Sequence, residues 1–104
     1  GGSNGVVSMT MEESILSRDI IDIALGLFGK DVLTLADASI ISVACNRNLP
    51  IYSDNRGIYW FFYEFLQKDY KKEQYKSAKN NIESKIKNLP TIYRSASVIL
   101  TSRS

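Results

Sequence analysis

The feature that most constrains the fold is an apolar stripe that recurs with helical spacing between residues 11 and 28. Its members are Ile15, Leu16, Ile20, Ile23, Ala24, Leu27 and Phe28. Apolar side chains three and four residues apart lie on one face of an α-helix. Thr10 and Glu13 match a capping box at the start of this stretch, and Gly29 stands where a helix C-cap is expected. The pattern predicts an amphipathic helix that packs against a core.

Beyond this helix, the sequence predicts further helices joined to short strands. Thr34 followed by Asp37 repeats the start pattern and predicts a helix over residues 35–46, after which residues 49–53 are typical of a short strand. The remaining predicted elements are helices over residues 58–66 and 68–88 and a strand over residues 97–101. We therefore predict an α/β domain that is mostly helical with a short parallel sheet, with a mainly-α fold as the alternative.

Length and composition limit the domain count and the chemistry. The chain has 104 residues, no histidine and a single cysteine, Cys45, which excludes histidine-based catalysis, zinc fingers and disulfide scaffolds within this chain. The glycine-rich start predicts a linker or tag remnant over residues 1–8 and a single domain over residues 9–104.

Charge is distributed unevenly along the chain. Residues 1–66 carry a net charge of −4 and residues 67–104 a net charge of +6. Such a split is a weak indication of a partner for the basic half, and a solvated lysine-rich helix face is the more usual explanation. The apolar runs are too short to span a membrane, no secretory signal is evident, and a lone cysteine suits a reducing compartment, so we expect a cytoplasmic protein.

The most informative segment is residues 34–57. It places Asp37 at the start of a helix and Asp54 at the carboxyl end of the strand that follows. Ligands of open parallel sheets bind at that edge. Two carboxylates that converge there would suit a hard divalent cation such as Mg²⁺ or Mn²⁺, which prefers oxygen ligands.

This segment resembles the C-terminal part of a PIN domain, a family of metal-dependent nucleases. Asp37-Ala38 is similar to the family's helix start, and residues 49–54 are similar to its closing strand, which ends in a hydroxyl residue and an acid. The resemblance implies that Asp37 and Asp54 are catalytic, metal-binding acids. It also implies that Ser53 and Asn55 support the site, Asn55 standing where some members carry a further acid.

The function implied by the resemblance is Mg²⁺- or Mn²⁺-dependent endonucleolytic hydrolysis of RNA. The family also begins with a strand that carries an Asp, followed by helices that supply a Glu, and neither is found upstream of Asp37. Three readings of this gap stay open: the chain is a fragment, the domain is degenerate and inactive, or another chain completes the site.

Two further clusters suggest partners. Basic residues that would contact an RNA backbone are Arg56, Lys72, Lys76 and Lys79. Residues 59–65 hold six of the eleven aromatic residues, which is too many for one small core. We therefore weigh an alternative function, a non-catalytic interaction or oligomerisation domain that uses the aromatic helix 58–66, with Trp60 and Tyr63 at the interface, and the amphipathic helix 73–89.

Overall fold

The computed structural model describes residues 8–94 and shows a mostly helical protein with a small parallel sheet. Its helices are α1 (Met11–Ile23), α2 (Leu35–Arg47), α3 (Arg56–Trp60) and α4 (Glu73–Lys85), and its strands are β1 (Ile51–Tyr52) and β2 (Ile92–Tyr93). The N-terminal linker prediction falls almost wholly outside these residues, and the strand predicted over residues 97–101 falls entirely outside them.

The first helix begins and ends close to where its sequence pattern predicts. Thr10 and Glu13 form the full capping box, in which each side chain bonds the other's backbone N–H. After Ile23 the helix widens into a π-helical turn over Ala24–Phe28, which the sequence pattern does not foretell. Gly29 then ends it with φ of 108°, a conformation that favours glycine over residues with a side chain.

The second helix positions the sheet. Thr34 and Asp37 form a second capping box, and Asn48 closes α2 in the left-handed conformation. Because Asn adopts that conformation more readily than most residues, the chain can turn sharply into β1. β1 pairs in parallel with β2, with Ile51 opposite Ile92. A short parallel sheet is therefore present, but its second strand precedes the one that the sequence predicts.

The core lies between α1, α2 and the aromatic segment that follows β1. α3 continues into a second π-helical turn over Phe61–Phe65, and the most deeply buried rings of the chain, Phe61 and Phe65, belong to that turn. The aromatic block therefore contributes its phenylalanines to the core. Phe28 joins α1 to this cluster, because its ring lies 5.6 Å from that of Phe65.

The last helix covers the outer face of α1. α4 is shorter than the predicted helix over residues 68–88, and Ile82 is its one fully buried apolar residue. Lys85 forms an ion pair with Asp19 of α1. No helix within residues 8–94 has the length and hydropathy that crossing a bilayer requires.

Candidate functional site

Asp37 lies at the carboxyl end of β1, where the sequence analysis places a site. Its side chain is almost completely buried, with 6% of the residue exposed. One carboxylate oxygen, Oδ2, accepts a hydrogen bond from the Thr34 backbone N–H at 3.2 Å, and the other, Oδ1, accepts one from Nδ2 of Asn55 at 3.0 Å. The carboxylate thus joins the start of α2 to the loop that leaves β1.

Asn55 is the residue that holds this loop in place. Its Oδ1 accepts a hydrogen bond from the Gly57 backbone N–H at 2.7 Å and so caps α3, while its own N–H donates to Oγ of Ser53 at 3.0 Å. The structure therefore brings together Asp37, Ser53 and Asn55, which we call the Asp37 corner. Asp54 is exposed on the same loop. Burial is the main cause that raises the pKa of Tyr59, and the nearby charge of Asp54 adds a smaller contribution.

Close packing explains the glycine next to the corner. A Cβ atom at Gly57 would lie 2.9 Å from the backbone oxygen of Val32 and 2.9 Å from Cδ1 of Leu33. Only a residue without a side chain lets α3 begin so close to the segment before α2. The absence of a side chain at Gly57 thus allows the close packing in which Asn55 lies within hydrogen-bond distance of Asp37.

The described residues do not by themselves make a metal centre. Within residues 8–94, no group of three or more histidine, cysteine, aspartate or glutamate side chains is arranged to hold a metal ion. The Asp37 corner offers one carboxylate, and Asn55 turns its N–H₂ group rather than its oxygen toward that carboxylate. Mg²⁺ and Mn²⁺ need more oxygen ligands than this.

Glu13 is a second buried acid. The sequence predicts its capping role but not its burial or its ion pair. Arg47 bonds both of its carboxylate oxygens, from Nε at 2.8 Å and from a terminal nitrogen at 2.9 Å. Asn46 donates to the same carboxylate at 2.7 Å, and Ser42 Oγ donates to the Glu13 backbone oxygen at 2.5 Å. The bonds from Arg47 and the Thr10 backbone lower the pKa of Glu13 to about 2. No sequence signal predicts the pairing with Asn46 and Arg47, because both lie more than thirty residues from Glu13.

The candidate RNA-binding residues are spread over different elements. Arg56 is exposed at the start of α3, and Lys72 precedes α4. Lys76 and Lys79 both lie on α4, where the ammonium of Lys79 donates to the Lys68 backbone oxygen at 2.8 Å. Lys72 also lines a cavity, together with Phe28 and Tyr75.

The two candidate interface aromatics differ in environment. Trp60 is half-buried, with its ring 5.1 Å from that of Phe28 and 5.4 Å from that of Phe65. Tyr63 is 48% exposed and lies against Tyr59. Trp60 therefore belongs to the edge of the core, while Tyr63 faces outward.

A concave surface lies beside β1, and we call it the β1 groove. It has a volume of about 460 Å³. Its lining residues are Met9, Ser39, Ile40, Val43, Ala44, Leu49, Pro50, Ile51, Tyr52 and Ser53. None of them is charged, and several of the large ones are widely exposed, among them Tyr52 at 75% and Ile40 at 47%. The groove ends at Ser53, which also belongs to the Asp37 corner.

Comparison with known proteins leaves the family open. No protein-family model matches the chain, and neither a curated protein nor a solved structure is significantly similar to it. The function must therefore be argued from the geometry of the chain itself.

Proposed function

We propose that this protein is a non-catalytic interaction module that takes up an extended apolar polypeptide segment in the β1 groove, as an added strand beside β1. The observation that carries the proposal is the combination of an apolar groove with a strand, β1, that pairs on one side only among residues 8–94.

The open edge follows from the hydrogen bonds of the strand pair. The backbone N–H groups of Ile51 and Ser53 donate to Thr91 and Tyr93, each at 2.9 Å. In a parallel ladder, alternate residues of a strand direct their N–H and C=O groups to opposite sides. The N–H and C=O of Tyr52 therefore point away from β2, to the side of β1 on which the described part of the chain places no strand. An extended segment can pair with them, as in strand addition to an exposed sheet edge.

The chemistry of the groove specifies the side chains of the segment. Because its lining is uncharged, with Ile40, Val43 and Leu49 among the larger apolar members, charged side chains would lose hydration there without gaining a partner. Aliphatic or aromatic side chains would instead bury apolar surface, worth roughly 25 cal/mol per Å². We therefore expect the bound segment to carry apolar residues at alternate positions, facing the groove.

A displayed peptide library selected on the protein tests this proposal. We expect enrichment of β-branched and aromatic residues at alternate positions. A selected peptide should bind Ile40→Glu at least about tenfold more weakly than the parent protein, since a carboxylate would enter the apolar lining. Leu25→Glu is the matched control, because Leu25 is 49% exposed but lies outside the groove.

Hydrogen exchange supplies the decisive readout. Upon peptide binding, the Tyr52 amide should become protected from exchange, because only strand pairing occupies that N–H. Failure to select any alternating apolar peptide, or binding without protection at Tyr52, would contradict the proposal.

A second candidate function, PIN-like RNA cleavage, is favoured by the bond between Asp37 and Asn55. In this proposal the chain contributes only the Asp37 corner, and further carboxylates come from a second copy of the chain. Since the described residues do not complete a metal site, we derive no catalytic step from them.

The test of this second candidate uses Mn²⁺ and a single-stranded RNA substrate. We expect Mn²⁺ to raise the melting temperature and to support cleavage, and Asp37→Asn to abolish both effects. Asp22→Asn, at an exposed position of α1, is the matched control. If Mn²⁺ has neither effect and Asp37→Asn changes nothing, the nuclease proposal fails, while the strand-addition proposal is untouched.

A further inference from the structure

A second cavity, remote in sequence from the β1 groove, lies between the π-helical end of α1 and the segment that leads into α4. It has a volume of about 390 Å³, which is within the usual range for small-molecule sites. Its lining residues are Phe28, Lys68, Asp69, Tyr70, Lys71, Lys72 and Tyr75, and we call it the lysine–tyrosine cavity. Aromatic rings and ammonium groups together distinguish it from the uncharged groove.

The aromatic part of the cavity is held rigidly. The rings of Tyr70 and Tyr75 stack with their centroids 5.6 Å apart and their planes 16° from parallel. Phe28 meets both at steeper angles, with centroid distances of 6.1 Å to Tyr70 and 5.3 Å to Tyr75. The Tyr75 hydroxyl also donates to the Leu27 backbone oxygen at 3.4 Å. A planar ligand would meet these rings without first having to order them.

The charged part of the cavity carries more ammonium groups than carboxylates. Three lysines line it, and Asp69 is the one acid among the lining residues. Within residues 8–94, none of these three lysines takes part in an ion pair, whereas Arg47, Lys85 and Lys87 do. Lys68 lies with its ammonium 5.5 Å from the centre of the Tyr70 ring, so positive charge and aromatic surface are adjacent.

From this arrangement we infer that the lysine–tyrosine cavity binds a nucleoside phosphate, with the base packed against the aromatic rings and the phosphate held by Lys71 and Lys72. Bases stack on aromatic side chains whatever their sequence, and lysines bind phosphate as point charges. A free mononucleotide and a nucleotide within single-stranded RNA share this chemistry. The inference does not depend on either function proposed above.

Isothermal titration calorimetry at low salt tests the inference with four probes: adenosine 5′-monophosphate, adenosine, inorganic phosphate and a hexa-adenylate RNA. We expect the monophosphate to bind at least about tenfold more tightly than adenosine or phosphate alone, because it engages both parts of the cavity. Raising the salt concentration should weaken this binding. A monophosphate that binds no better than inorganic phosphate would overturn the inference.

Matched variants separate the cavity from general surface charge. The double variant Lys71→Gln, Lys72→Gln should weaken monophosphate binding at least about tenfold, whereas Arg18→Gln, Lys87→Gln, with the same loss of charge, should change it less than about twofold. Equal losses in the two double variants would overturn the inference. Neither pair belongs to the buried core, so both proteins should fold.

Two further measurements identify the residue that contacts the base and the source of the nucleotide. Tyr70→Leu should weaken binding of the monophosphate but not of inorganic phosphate, and loss of both would count against a stacked base. Hexa-adenylate that binds more tightly than the monophosphate indicates RNA as the natural ligand, and equal or weaker binding indicates a free nucleotide.

Discussion

The two buried acids, Glu13 and Asp37, occupy the same place in two helices and yet differ in what surrounds them. Each is the third residue of a helix whose N-cap is a threonine. Each carboxylate accepts a hydrogen bond from the backbone N–H of that threonine in a capping box. The local sequence pattern is therefore the same. What differs is the set of residues that the tertiary fold brings to the other side of the carboxylate.

Glu13 uses its full hydrogen-bonding capacity. An ionised carboxylate has about four lone-pair directions, and the Glu13 carboxylate accepts four bonds, one from Thr10, one from Asn46 and two from Arg47. Asp37 accepts two, from Thr34 and Asn55. All of the hydrogen-bond acceptor sites of the Glu13 carboxylate are therefore used, most of them to join α1 and α2. Asp37, at the end of the groove, can accept further hydrogen bonds.

The largest expected effect is the loss of stability in Glu13→Ala. This change leaves the Arg47 guanidinium without its partner and opens a space between α1 and α2. Removing one member of a fully buried ion pair costs about 3–5 kcal/mol, and because the Arg47 side chain is 35% exposed we expect the lower end of that range. We expect the free energy of unfolding, measured by urea denaturation, to fall by that amount.

The control for Glu13 is its neighbour in the sequence. Glu12 is exposed and pairs with Lys87 at 3.3 Å, so Glu12→Ala should cost less than about 1 kcal/mol. Similar losses in the two variants would show that the buried ion pair does not stabilise the junction of α1 and α2.

The next largest effect is a pH dependence of the free energy of unfolding. The hydrogen bonds from Arg47 and from the Thr10 backbone lower the pKa of Glu13 from 4.5 to about 2. A carboxyl group with a lowered pKa in the folded state stabilises the fold above its unfolded pKa, and that contribution is lost as the pH falls through the folded pKa. The stabilisation from Glu13 should therefore be complete above about pH 5 and disappear toward pH 2.

Comparison of the parent protein with Glu13→Gln separates the pH dependence due to Glu13 from that of the other carboxyl groups. The difference in unfolding free energy between the parent protein and Glu13→Gln should shrink steadily as the pH is lowered from 5 to 2. A difference that stays constant over this range would mean that Glu13 keeps an ordinary pKa in the folded protein.

The contacts of Glu13 and Asp37 also show which parts of the structure can be predicted from the sequence. Both capping boxes are predictable, because Thr10 with Glu13 and Thr34 with Asp37 are local patterns. The third contact of the corner, Asn55 to Asp37, crosses eighteen residues, and the resemblance to PIN domains indicates only that the two residues lie near each other. The pairing of Glu13 with Arg47 has no local signature at all.

The secondary structure shows the same limit. The first and second helices follow from strong apolar periodicity and clear start signals. The strand Ile92–Tyr93 is only two residues long, and it exists because β1 is there to pair with it. Such a strand depends on a distant partner rather than on its own sequence, and a local pattern does not reveal it.

A smaller effect is expected for Asn55→Ala. It removes the side chain that bonds Asp37 Oδ1 and that caps α3 through the Gly57 N–H. Loss of an N-cap costs about 1 kcal/mol and up to 2 kcal/mol. Asn55→Asp is the informative comparison, because it keeps the cap on Gly57 but places a second carboxylate against Asp37. If Asn55→Asp is as stable as the parent protein at pH 7, the bond between Asn55 and Asp37 contributes little to the fold.

The smallest effect is expected for Asp37→Asn. Asparagine has nearly the same shape, and its side-chain oxygen can accept the hydrogen bond from the Thr34 backbone, so the cap is preserved. The change turns an amide N–H₂ toward the N–H₂ of Asn55, so the bond between the two side chains is lost, at a cost of about 1 kcal/mol because Asn55 is exposed and water replaces its partner. We expect thermal unfolding to report a loss of about 1 kcal/mol or less, well below that of Glu13→Ala. A loss as large as that of Glu13→Ala would break the comparison, because it would make Asp37 as necessary to the fold as Glu13. A small loss would instead leave Asp37→Asn as a well-folded variant with which to test the function of the corner.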